Sequence, residues 1–122
     1  MKDVKGFLNE MYDGVYSEIN GDYIVESGNF ERKSGKTVTL SNIAKENNSL
    51  YVCSTVNLCK IGDDKVEGLE YKSVNQLLRQ NGLSFDEFIV DEIFDYEYEK
   101  LKEFYPHTKI FGVLRRQNNK WQ

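Results

Sequence analysis

The sequence has few of the residues on which several common kinds of site depend. Its 122 residues include two cysteines, one proline and one histidine, so neither a disulfide framework nor a four-ligand zinc site is expected. Basic side chains number 16 against 20 acidic ones, and the net charge of −4 excludes a globally basic nucleic-acid-binding protein. No apolar run approaches the roughly 18 residues that a transmembrane helix requires.

The length and composition predict one compact domain over residues 1–122, with a loose tail over 115–122. Three acidic residues interrupt the apolar residues near the start, at Asp3, Glu10 and Asp13, which is not typical of a signal peptide. We therefore expect a cytoplasmic protein that does not associate with membranes. No residue pattern indicates a cofactor or a metal site.

The hydrophobic pattern predicts an α+β fold. Apolar residues three and four positions apart predict an N-terminal amphipathic helix over residues 2–19. Short runs of β-prone residues follow and predict an antiparallel β-meander. These runs are 22–27, 29–33, 37–40, 50–58 and 66–71, with 42–49 as a polar loop or a single helical turn.

The second half of the chain predicts a helical hairpin followed by a strand. Ser73 is placed to cap a short helix over 74–80. Ser84 and Glu87 have the spacing of a capping box, which predicts a second, long acidic helix over 84–104 that Pro106 ends. The apolar run Ile110 to Leu114 predicts a buried C-terminal strand.

An acidic stripe on this long helix is the strongest functional signal. Residues four apart lie on one helical face, and this places four carboxylates in a row with Glu92 beside them. The apolar residues cover more than half of the helix circumference, so either a second helix packs alongside or the surplus meets another chain, and we expect a homodimer. The stripe consists of Glu87, Asp91, Asp95 and Glu99.

The main functional hypothesis is a small, acidic, non-enzymatic protein that acts by occupying a protein partner. The partner has a basic surface, toward which Glu87, Asp91, Glu92, Asp95 and Glu99 steer the complex. Inhibitors encoded by phages or plasmids and small immunity proteins share this size and charge, which is an analogy only. No catalytic residue is predicted.

The alternative hypothesis is a small-ligand or nucleotide-binding protein. Residues 105–122 contain no acid, and basic side chains there provide a phosphate site at a dimer interface, with an aromatic ring for a base. The residues of this site are Lys109, Arg115, Arg116 and Trp121.

Three other motifs favour a structural interpretation. Residues 34–37 (SGKT) resemble the end of a phosphate-binding P-loop, but Phe30 stands where the first glycine belongs, and 37–40 alternates like a strand. Nothing in the sequence brings His107 to a cysteine to form a catalytic pair. The acids after Gly82 would repel phosphates, so a DNA-reading helix-turn-helix is not expected.

Overall fold

A computed structural model describes residues 6, 8, 15–17, 21–26, 36–55, 60, 66–80 and 84–115. Within these ranges the chain forms six strands and three helices. In chain order they are β1 (Val15–Ser17), β2 (Tyr23–Glu26), α1 (Lys36–Asn47), β3 (Leu50–Cys53), β4 (Tyr71–Ser73), α2 (Val74–Arg79), β5 (Glu87–Phe94), α3 (Asp95–Phe104) and β6 (Lys109–Arg115). No helix in these ranges is long and apolar enough to cross a membrane.

The sheet is parallel except at one edge, so the predicted antiparallel meander is wrong. Its strand order is β1-β2-β6-β5-β3-β4. Strands β2, β6, β5, β3 and β4 pair in parallel, and only β1 pairs antiparallel, with β2. Parallel strands require crossover connections, and helices α1, α2 and α3 lie on the connections from β2 to β3, from β4 to β5 and from β5 to β6. The mixture of helices and strands was predicted correctly, but their order along the chain was not.

Helices cover both faces of this sheet. Helix α1 packs on β3 and β5 and buries Leu40, Ile43 and Ala44 on one face. Helices α2 and α3 cover the other face, where Leu77 and Leu101 belong to a second apolar cluster. A parallel sheet buried on both faces has near-continuous apolar strands instead of alternating ones.

Helix α1 replaces the strand predicted over 37–40 and the loop or single helical turn predicted over 42–49. The two threonines and the valine at its start favour β-structure locally, but Leu40, Ile43 and Ala44 lie on one side of a helix and are buried by the sheet. The helix ends at Asn48, whose φ of 58° is left-handed, and Ser49 then donates its N–H to the carbonyl oxygen of Ala44.

Strand β5 occupies the first half of the predicted acidic helix. The apolar residues between Phe85 and Phe94 match a helical stripe, yet Phe88, Val90 and Ile93 face one side of the sheet and Ile89 the other. A central strand is apolar on both faces, so its residues also satisfy a helical period. Only the second half, α3, is helical. The helical hairpin and the helix-turn-helix spacing are therefore absent from this part of the chain.

Several local predictions are confirmed. Helix α2 begins after Ser73, whose hydroxyl accepts the N–H of Gln76 while the Gln76 side chain accepts the N–H of Ser73. Strand β6 lies where the C-terminal strand was predicted, and β3 forms the first part of the run 50–58.

Other predictions are wrong in part or lie outside the described residues. The run 66–71 becomes a strand only at Tyr71. In the predicted N-terminal helix, Gly6 and Leu8 are helical but 15–17 is a strand, and the rest is outside the described residues. The predicted strand over 29–33, the first two residues of the SGKT motif and the tail after 115 also lie outside them.

A glycine allows β5 and β6 to approach each other closely. Gly112 is the register partner of Val90 and has a φ of 147°. A β-carbon at this position would lie 2.0 Å from the carbonyl oxygen of Val90. Any larger residue therefore has to displace the backbone of the central strand.

A buried carboxylate joins the amino ends of β2 and β6 to α3. Asp22 accepts hydrogen bonds from the Tyr98 hydroxyl at 2.8 Å and from the N–H of Ile110 at 2.8 Å, and it forms an ion pair with the Lys102 ammonium at 3.1 Å. Lys102 also donates to the carbonyl oxygen of Thr108. These bonds fix the end of the sheet opposite to the site described below.

Replacing Gly112 by alanine is expected to lower the free energy of unfolding by about 3 kcal/mol or more, because the new methyl group overlaps the Val90 carbonyl. Gly68→Ala is the matched control, since Gly68 also has a positive φ but its nearest neighbour is the flexible end of Lys45. That control is expected to lose only about 1 kcal/mol. Urea denaturation measures both, and equal losses would contradict the close approach.

Asp22→Asn is expected to lower the free energy of unfolding by about 2–3 kcal/mol, because the half-buried Lys102 ammonium loses its charged partner and an amide cannot accept all the hydrogen bonds that the buried carboxylate accepts. Asp86→Asn, at an exposed aspartate, serves as the control and is expected to change stability by less than about 0.5 kcal/mol. A loss of the same size in both variants, measured by urea denaturation, counts against the network at Asp22.

Candidate functional site

The carboxyl ends of the parallel strands meet at one edge of the sheet. Strand β6 lies between β2 and β5, and the three strands end at Glu26, Phe94 and Arg115. The chain after β2 leads to α1 on one face, and the chain after β5 leads to α3 on the other. The connections that follow β2 and β5, the two strands on either side of β6, therefore leave toward opposite faces. Parallel sheets bind ligands beyond the carboxyl ends of their strands, where connections diverge in this way.

Helix α1 directs its N-terminus toward this edge. Its C-terminal end joins the start of β3 through Asn48 and Ser49, and the helix lies along β3 and β5. Twelve residues of helix extend about 18 Å, which is enough to bring the first turn to the carboxyl ends of the strands. The backbone N–H groups of a first helical turn have no partner within the helix and bind anions.

Lys36 and Thr37 begin this helix, and this corrects the sequence-based argument against the P-loop resemblance. That argument required 37–40 to be a strand in a hairpin, whereas the chain passes from a parallel strand, β2, into a helix, as it does in a P-loop. Phe30 still stands in place of the first glycine. Ser34 and Gly35 lie outside the described residues.

Asp91 is a buried carboxylate near the carboxyl end of the central strand. It is 5% exposed, and its Oδ2 accepts the Tyr51 hydroxyl at 2.6 Å. Tyr51 belongs to the apolar cluster under α1, so Asp91 lies on the face of the sheet that carries the first turn of this helix. Burial raises the pKa of the Tyr51 phenol far above its ordinary value, and the charge of Asp91 raises it further. The phenol therefore remains a hydrogen-bond donor to Asp91.

Glu92 has an unusual backbone conformation for its residue type. Its φ is 58°, and the pairing of β5 with β6 shifts register between Asp91 and Ile93. Such a bulge turns a side chain away from the regular alternation, and bulges are frequent next to active sites. The turned carboxylate meets β6, where Glu92 Oε1 lies 3.2 Å from Nη2 of Arg115.

A second carboxylate fixes the start of α3. Glu97 accepts the N–H of Phe94 at 2.8 Å and the hydroxyl of Ser54 at 2.7 Å through the same oxygen. Ser54 directly follows β3, so these bonds connect the ends of β3 and β5. Glu97 therefore holds the carboxyl ends of β3 and β5 together beside Asp91.

The acidic residues of the predicted stripe do not lie on one helix. Glu87 begins β5 at the amino edge and accepts the Ser49 hydroxyl, whereas Asp91 and Glu92 are near the carboxyl edge. Asp95 and Glu99 lie four residues apart on α3. A continuous row of carboxylates is therefore absent, and much of the apolar arc that suggested a dimer is buried in the sheet.

The basic residues of the alternative prediction are separated as well. Lys109 and Arg115 are the first and last residues of β6, about 20 Å apart along an extended strand. Only Arg115 lies at the carboxyl edge, with Asp91 and Glu92. Arg116 and Trp121 are outside the described residues.

The histidine and the described cysteine lie at opposite edges of the sheet. His107 is exposed in the turn before β6, at the amino edge, whereas the buried thiol of Cys53 ends β3 at the carboxyl edge, so the two do not form a catalytic pair. Cys59 is outside the described residues. An open cavity of about 390 Å³ near the end of α1 is lined by Ala44, Lys45, Asn48, Ser49, Gly68 and Glu70.

In the described part of the chain, no group of three or more histidine, cysteine, aspartate or glutamate side chains is arranged to hold a metal ion. Mg²⁺ does not need such a group when a phosphate ligand is present, since it is commonly held by one or two carboxylates and by phosphate oxygens. Asp91 and Glu92 provide two carboxylates at the edge where α1 begins.

Comparison with known proteins gives no match to a family model, to a curated protein or to a solved structure.

One signal in the sequence marks this site in retrospect. The three apolar residues Phe88 to Val90 are followed at once by Asp91 and Glu92. A short apolar run that ends in acids is consistent with a buried parallel strand and a polar carboxyl end. The apolar residues in this segment are also spaced as on a helix of 3.6 residues per turn, and the sequence therefore predicts a helix here.

Tyr51→Phe is expected to lower the free energy of unfolding by about 1–3 kcal/mol, because the buried carboxylate of Asp91 loses a hydrogen-bond donor. Tyr96→Phe removes an exposed hydroxyl and is the control, with an expected change below about 0.5 kcal/mol. Guanidinium denaturation at neutral pH measures both. If Tyr51→Phe is as stable as the control, the hydrogen bond to Asp91 contributes nothing.

Proposed function

We propose that this protein binds a nucleoside triphosphate together with Mg²⁺ at the carboxyl edge of its parallel sheet. The observation that carries the proposal is the common location, at the carboxyl edge, of the start of α1 and of Asp91 and Glu92 near the end of β5. Helix α1 packs on β3 and β5, and β5 pairs with the strand that ends at Arg115. Open parallel sheets bind ligands at this kind of crevice.

The start of α1 supports phosphate binding. In a P-loop, the backbone N–H groups before and within the first helical turn surround the phosphates, the lysine contacts them, and the following threonine or serine hydroxyl binds Mg²⁺. Lys36 and Thr37 are the residue types required, in the required order and at the first turn of a helix of 12 residues. Because Phe30 replaces the first glycine, the preceding loop differs from the standard motif.

The end of β5 supports the metal part of the proposal. In P-loop proteins an aspartate outside the loop helps to hold the Mg²⁺ at the phosphates. Asp91 is buried on the α1 face and accepts the Tyr51 hydroxyl, so the direction of its carboxylate is fixed at the edge where α1 begins.

Arg115 provides a third group for the same ligand. Its side chain is 40% exposed and forms an ion pair with Glu92, which is 22% exposed. A guanidinium at the carboxyl end of the strand between β2 and β5 is well placed to contact phosphate oxygens. This retains the nucleotide hypothesis from the sequence but moves the phosphate site to the opposite end of β6 from Lys109.

The protein-partner hypothesis remains a prediction. It required a helix with one acidic row, and that row is absent, so no contact in the described residues favours it over nucleotide binding.

Titration of the full chain with Mg²⁺ and ATP or GTP, followed by calorimetry, tests the proposed function. We expect Lys36→Ala to weaken binding at least tenfold and Asp91→Asn to remove most of the dependence on Mg²⁺, because each variant removes a group that contacts the charged phosphates or the metal.

Lys109→Ala is the matched control. It removes an exposed cation at the amino end of β6, so we expect nucleotide affinity within about twofold of the unchanged protein. Equal effects of Lys36→Ala and Lys109→Ala contradict the location of the site. The absence of binding of either nucleotide at millimolar concentration contradicts the proposed function itself.

A further inference from the structure

An aromatic pair stands at the same edge of the sheet. Phe94 ends β5 and Tyr96 lies in the first turn of α3, and their rings stack with centroids 5.7 Å apart and an angle of 6° between the planes. Phe94 is half-buried and Tyr96 is 51% exposed. A parallel stack uses one face of each ring, so Tyr96 retains a flat face directed away from Phe94.

The position of this pair is fixed by the strand and the helix that carry it. Phe94 is the register partner of Arg115, and its N–H is bonded to Glu97. The N–H of Tyr96 is bonded to Asp95 Oδ1 at 2.8 Å. The pair is thus held beside Arg115. Asp91 pairs with Val113, two residues before Arg115, so Phe94 lies about 7 Å along the sheet from Asp91.

Few large apolar side chains are exposed in the described part of the chain. They are Val38, Tyr96 and Phe104. Phe104 is the last residue of α3, at the opposite end of this helix from the carboxyl edge. Of the two exposed aromatic residues in the described ranges, Tyr96 is the one at the carboxyl edge.

We propose that Phe94 and Tyr96 form a stacking platform for a nucleobase that binds beside the phosphate site proposed at the start of α1, Asp91 and Arg115. This rests on the proposed function. Stacking on an aromatic ring tolerates every base, because each base has a π-face. The platform therefore contributes affinity for a base-bearing ligand without selecting a particular base.

The base has two chemical sources, and both present the same ring to Tyr96. It belongs either to the nucleotide whose phosphates are bound or to a separate nucleoside that binds beside those phosphates. The expected contribution in either case is about tenfold in affinity for one stacked base.

The experiment compares ligands with and without a base on the full chain. Dissociation constants are measured by calorimetry for Mg²⁺-tripolyphosphate, for Mg²⁺-ATP and Mg²⁺-CTP, and for adenosine and cytidine in the presence of Mg²⁺-tripolyphosphate. We expect Mg²⁺-ATP and Mg²⁺-CTP to bind about tenfold more tightly than Mg²⁺-tripolyphosphate, or each nucleoside to bind about tenfold more tightly with Mg²⁺-tripolyphosphate than alone. Tyr96→Ala is expected to remove this increase in affinity.

Two variants control for loss of structure. Tyr96→Phe retains the ring and is expected to retain the gain. Phe104→Ala removes the other exposed aromatic ring of α3 and is expected to change none of these dissociation constants. All variants should bind tripolyphosphate equally well, because Tyr96 does not contact the phosphates.

The outcomes separate the two proposals. If Tyr96→Ala weakens only the nucleotides, the base is that of the bound nucleotide, and if it weakens only the nucleosides, a second molecule supplies the base. If tripolyphosphate binds but no base increases the affinity, the stacking platform is wrong and the proposed function stands. The same holds if a base increases the affinity but Tyr96→Ala preserves that increase. If neither tripolyphosphate nor nucleotide binds, both proposals fail.

Discussion

The structure depends on the burial of β5 between two parallel neighbours. Its backbone groups pair with β3 on one side and β6 on the other, and its side chains are covered by α1 on one face and by α2 and α3 on the opposite face. Water is excluded from such a strand, so every polar group in it requires a partner. The positions of the acids at its end are therefore strongly constrained.

The two acids meet this constraint in different ways. Asp91 remains in the regular alternation, is almost fully buried and receives the Tyr51 hydroxyl. Glu92 leaves the alternation through a bulge and a positive φ, which costs about 1–2 kcal/mol, and is directed to Arg115. A regular strand would send Glu92 into the apolar cluster under α2 and α3, where an ionised carboxylate is far more costly than the bulge.

The same constraint connects the fold to the proposed site. Because β5 and β6 approach closely at Gly112, the ends of the two strands are held in register, and Phe94 lies beside Arg115. Glu97 holds the first turn of α3 to the end of β5 and to Ser54 after β3. The metal, phosphate and base groups of the two proposals are thus carried by strand ends and first helical turns, which keep their geometry better than loops do.

Sequence alone determined the features that depend on neighbouring residues. The capping box at Ser73, the short helix after it, the strand from Leu50 and the strand before Arg115 all follow from local hydrogen bonding and from apolar runs. Only the tertiary structure decided the direction of the strands, the helix at Lys36 and the strand at Glu87. The residues 37–40 and 87–94 satisfy both a helical and an extended pattern locally, and the faces against which they are buried select between the two. Asp91 and Arg115 are far apart in the chain, and parallel pairing places them at one edge because the parallel strands end on the same side. Helix α1 runs back from that edge to the start of β3, so its first turn lies at the same edge.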